Sequence, residues 1–162
     1  RPDSIKSTGV IIREKVGTIN AVGIKFRGVK TGAAFTGDGK AVNTAYVWQM
    51  DGMSICHLGA LSAPLDIASR TALGAVDILL VPYGPSGKMS PEQLNTVIGV
   101  LKAKVIIPIR YSDTDKRFSL SRKIEYASWK MEWKGVLLDD PEFRMSTDAL
   151  PEKIKMLIPK GG

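Results

Sequence analysis

The apolar positions change rhythm along the chain. In the first third they alternate with polar ones. Residues 18–30 are rich in β-branched side chains, and Gly23-Ile24-Lys25-Phe26-Arg27 alternates strictly, the period of a strand with one buried face. Residues 9–13 share that composition, while residues 36–42 read as a loop. Residues 44–50 and 53–57 flank Asp51-Gly52. Asp-Gly between apolar runs predicts a hairpin, because a type I′ turn needs positive φ at both central positions.

Further along, alternation gives way to short solid runs separated by helical spacing. Ile78-Leu79-Leu80-Val81, within a strand predicted over 77–83, is continuous, as expected of a strand buried on both faces. Ser90-Pro91-Glu92-Gln93 carries the start signals of a helix: an N-cap serine, proline in the first turn and a capping-box glutamine. Leu94, Val97, Ile98 and Leu101 then fall at i, i+3, i+4 and i+7, one apolar stripe. Lys102 and Lys104 follow, where the helix dipole favours cations. Residues 105–109 form the next apolar run. Residues 121–134 predict a second helix with a wide apolar face, Ile124, Ala127 and Met131 beside Tyr126, Trp129 and Trp133; that face suits core burial or a docked partner. Residues 153–158 predict a last strand. Strand–helix–strand with apolar strands predicts an α/β domain whose sheet is covered by helices.

Composition adds limits. The 162 residues suit one domain, without repeats or low-complexity linkers. A single Cys (Cys56) excludes an internal disulfide framework. It fits a reducing compartment, cytoplasmic or organellar. A single His (His57) excludes any site that draws two imidazoles from these residues. No apolar run reaches the roughly 18 residues of a membrane span. The net charge of +7 is concentrated at the front: residues 1–30 hold seven basic and two acidic residues. That balance suits an anionic or nucleic-acid partner, or a solvated face; no basic cluster is interleaved with aromatic stacking residues.

Several segments resemble one family in one order. They are Asn43-Thr44-Ala45-Tyr46-Val47-Trp48, Asp51-Gly52, Ile55-Cys56-His57-Leu58-Gly59-Ala60-Leu61, Val76–Pro82, Met89–Leu101, Val105–Tyr111 and Leu150-Pro151-Glu152. Together they resemble the metallo-β-lactamase superfamily, nearest its ascorbate-phosphate-lactonase-like branch. The resemblance spans nearly the whole chain, residues 1–162, as a single partial domain. It implies an αββα sandwich, here expected to lack part of the N-terminal half, with a two-metal hydrolytic site of imidazole and carboxylate ligands.

The same resemblance locates the ligand positions. Arg1-Pro2-Asp3-Ser4 resembles the tail of His-x-His-x-Asp-His, so Arg1 and Ser4 replace histidines and Asp3 is kept. Ala33 stands for the next His, Ala60 for the bridging Asp of His-Leu-Gly-Asp-Leu-Gly, and Arg110 for the final His. Methyl groups and a guanidinium cannot ligate a cation. The expectation is therefore a metallo-hydrolase scaffold with no metal cofactor, a non-catalytic scaffold or accessory subunit with a protein partner or larger assembly. Two alternatives stand beside it. One is a zinc- or manganese-dependent hydrolase of lactonase or phosphodiesterase type with a divergent site. The other is an anion or nucleic-acid binding module. Arg110 is expected to pair with Asp3, or Arg1 and Arg110 to bind an anion through the guanidinium fork. Cys56 reads as a core residue, and Asp139, Asp140 and Glu142 as a solvated acidic loop. Ser62, Ser86 and Ser90 lack a nearby base.

Overall fold

The computed structural model describes residues 16–21, 23–32, 42–82, 89–109, 135–140 and 142–158. Within them one mixed sheet of eight strands runs in the order β1-β2-β3-β4-β5-β6-β8-β7. The strands are β1 (Gly17–Ala21), β2 (Ile24–Gly32), β3 (Val42–Met50), β4 (Met53–His57), β5 (Ile78–Pro82), β6 (Val105–Ile109), β7 (Gly135–Leu137) and β8 (Lys155–Ile158). Two helices, α1 (Ile67–Leu73) and α2 (Pro91–Leu101), connect β4 to β5 and β5 to β6.

The change of rhythm in the sequence is the change of pairing in the sheet. β1 to β4 form an antiparallel meander. β4, β5, β6, β8 and β7 pair in parallel, which requires crossover connections. The predicted hairpin is present: Asp51 (φ 49°) and Gly52 (φ 77°) both take the left-handed conformation between β3 and β4. A Cβ on Gly52 would also lie 3.3 Å from Thr147 Cγ2. α2 carries both halves of the predicted capping box, with Gln93 N donating to Ser90 Oγ at 3.3 Å and Ser90 N to Gln93 Oε1 at 2.9 Å. Lys102 closes it in the left-handed conformation, φ 54°.

Alternate residues divide the sheet into two faces. On one, Val29, Ala45, Val47, Cys56, Leu79, Val81, Ile106 and Met156 pack with Leu73 of α1 and Leu94, Val97, Ile98 and Leu101 of α2. Ten of these thirteen side chains are at most 1% exposed, Cys56 among them at 0%. At roughly 25 cal/mol per Å2, apolar burial of this kind is the main force holding helices to sheet. The other face carries a smaller cluster of Met53, Ile78 and Val105, covered at one end by Met145 and Leu150 from the connection between β7 and β8.

Asp77 ties the parallel strands together just before β5. Its amide donates to Ser54 O and its carbonyl accepts from Lys104 N and Val105 N. Its carboxylate accepts from Ser54 N at 2.9 Å and pairs with Lys104 Nζ at 3.3 Å.

Three predicted elements meet the structure closely (the hairpin, α2 and β6), and the final strand is shorter than predicted, starting at Lys155. The strand predicted over residues 9–13 and the helix predicted over 121–134 lie outside the described residues.

Candidate functional site

The site is built on the turn that leaves β4, His57-Leu58-Gly59-Ala60-Leu61. Leu58 is fully buried and continues the parallel ladder by donating its N–H to Leu80 O at 3.0 Å. The chain then turns sharply at Gly59, φ 65°. No side chain fits there: a Cβ would lie 2.5 Å from Asn43 Oδ1 and 3.0 Å from Thr44 O.

Asn43 explains the close approach. Buried at 7% exposure on β3, it reaches across the turn with both ends of its amide. Its Nδ2 donates to Leu58 O at 2.8 Å and to Thr31 Oγ1 at 2.7 Å, and its Oδ1 accepts from Ala60 N at 2.8 Å. Thr31 Oγ1 in turn donates to Asn43 O at 3.4 Å. One side chain thus fixes the backbone on both sides of Gly59 and links it to β2. Sequence reasoning placed Asn43 in a family segment without giving it a role. The signal was there: a polar amide beside an apolar strand finds burial only when its hydrogen bonds are met.

His57 is oriented by the same turn. Its Nδ1 accepts from Gly59 N at 2.9 Å. A neutral imidazole accepting at Nδ1 carries its proton on Nε2. A metal-bound histidine normally has the reverse polarity, donating from its second nitrogen to a carboxylate or carbonyl. Ligation through Nε2 would leave two N–H groups, Nδ1 and Gly59, facing each other.

Around this turn, Phe26, Thr44, Tyr46, Trp48, His57 and Gly59 line a hollow of about 290 Å3 on the sheet face away from the helices. Phe26 and Trp48 pack with ring centroids 5.5 Å apart. The Thr44 hydroxyl is buried without a hydrogen-bond partner. On the helix face, Asp66 caps α1 by accepting from Ser69 N at 2.7 Å, and Ser69 Oγ donates to Lys30 O at 2.9 Å. The Ser69 hydrogen bonds hold the Asp66 carboxyl below its ordinary pKa. Burial pushes the Cys56 thiol up to about 12, which suits a core residue and not a nucleophile.

Of the sequence-predicted site positions, Ala60 lies within the described residues, on the turn just described. Arg1, Asp3, Ser4, Ala33 and Arg110 lie outside them, as do Tyr126, Trp129 and Trp133. Among the described residues no group of three or more His, Cys, Asp or Glu side chains is placed to hold a metal ion. At Ala60 a methyl group stands on the turn, and the neighbouring His57 accepts a hydrogen bond at Nδ1. These two positions supply no ligand set between them, and the remaining predicted positions lie outside the described residues.

A profile of the beta-lactamase superfamily domain matches residues 2–110. The chain belongs to the metallo-β-lactamase superfamily. Among solved structures, it is similar to a Thermotoga maritima protein described as a Zn-dependent hydrolase of this superfamily. The two share 27% identity over 91% of this chain and 71% of that one, with a TM-score of 0.64. It also shares its fold with Igni18, a metallo hydrolase from Ignicoccus hospitalis (20% identity, 75% and 52% of the two chains, TM-score 0.52). A metal-dependent hydrolase from Parabacteroides distasonis gives 16% identity, 92% and 57% coverage and a TM-score of 0.51. The chain thus spans roughly half to seven-tenths of the length of these superfamily members. No curated protein matches it. None of the helices among the described residues is long and apolar enough to cross a membrane.

Proposed function

We propose that this metallo-β-lactamase-fold chain is a non-catalytic member of its superfamily, a scaffold or accessory subunit that keeps the sheet and the metal-site turn without the metal. Within the superfamily, the order of its segments favours the ascorbate-phosphate-lactonase-like branch. The observation that carries the reading is the turn at Gly59. Ala60 puts a methyl where the superfamily has a bridging carboxylate, and Gly59 N–H occupies the Nδ1 lone pair of the sole imidazole. His57 matches the residue before the Gly-Asp of the family motif and not a ligand position, so replacement of the carboxylate by Ala60 leaves no ligand on this turn. The turn itself is held by two hydrogen bonds with Asn43, one donated by its Nδ2 to Leu58 O and one accepted by its Oδ1 from Ala60 N, as a structural element would be.

The competing reading is a zinc- or manganese-dependent hydrolase with a divergent site. It is favoured by the Thermotoga maritima relative, described as Zn-dependent, at 27% identity. Elemental analysis by mass spectrometry of protein purified without chelator separates the two. The non-catalytic reading expects zinc and manganese far below one per chain, and no hydrolysis of lactone or phosphodiester substrates after either metal is added. A stoichiometric metal retained through dialysis would refute it.

A further inference from the structure

We draw no further inference here: the strongest candidate, the hollow of about 290 Å3 beside the buried Thr44 hydroxyl on the helix-free face of the sheet, lies on an apolar face for which nothing in the structure shows what covers it.

Discussion

Replacing Asn43 by alanine removes the clamp on the Gly59 turn, and the structure sets the scale of the loss. Three hydrogen bonds disappear: those to Leu58 O, to Thr31 Oγ1 and from Ala60 N. They are not equal. Leu58 O keeps a second donor, Leu61 N at 3.3 Å, and Thr31 Oγ1 keeps its bond to Asn43 O. Ala60 N–H is left without an acceptor at a half-buried position. An orphaned buried donor costs about 1–3 kcal/mol, and each lost neutral hydrogen bond about 1 kcal/mol. Partial access of water to Ala60 reduces the first figure. The sum is about 2–4 kcal/mol, a fall in Tm of about 5–12 °C for a chain of this size. Urea denaturation followed by circular dichroism measures it. A cycle with Thr31→Val should show coupling of at least about 0.5 kcal/mol, because the two side chains are bonded directly. A loss below about 0.5 kcal/mol for Asn43→Ala would refute the reasoning, showing that the turn is held by something else.

Gly59→Ala should destabilise more than a surface glycine change, by about 2 kcal/mol or more, since positive φ and the 2.5 Å approach to Asn43 Oδ1 act together; a two-state denaturation curve within error of wild type would contradict this. Cys56 should resist thiol reagents at pH 8 until the protein unfolds, because its thiol is buried with a pKa of about 12. The sign follows from the same shift: the unfolded thiol ionises near 9.0 and the folded one near 12, so this group's stabilisation is complete below pH 9 and falls as pH rises toward 12. Denaturation of Cys56→Ala across that range, with a flatter pH dependence than wild type, checks it. Ala60→Asp should not by itself create a stoichiometric zinc site in calorimetric titration, because the imidazole beside it accepts at Nδ1; tight one-to-one zinc binding by this variant would refute the assignment of His57.

The fold was legible where one local rule dominates. Asp51-Gly52 and Ser90-Pro91-Glu92-Gln93 announce their geometry through φ preference and capping chemistry. The apolar runs of β5 and β6 announce burial on both faces. α1 was not legible. Its seven residues bury only Ser69 and Leu73, while Ile67 is 73% exposed, so the helical stripe that a longer segment displays is absent. β7 has three residues, too few to show a period. At the site, Ala60 was found through the family motif, because an alanine carries no chemical signal of what it replaces. The role of Asn43 needed three dimensions: its partners lie 12 to 17 residues away, and no local spacing encodes them.

The switch of pairing at β4 also bears on how the chain reaches this structure. β1 to β4 each pair with the strand next in sequence, and local contacts of that kind form fast. β5 and β6 each pair with the strand before only after an intervening helix has been bridged, at a higher entropic cost of closure. β4 is therefore a template: one edge is completed by its hairpin partner, and the other, carrying Ile55, Cys56 and His57 against Ile78, Leu79 and Leu80, waits for β5. Until β5 arrives that edge is open to any extended strand nearby, so the speed of β5 docking governs how well the nascent sheet escapes pairing with a neighbour.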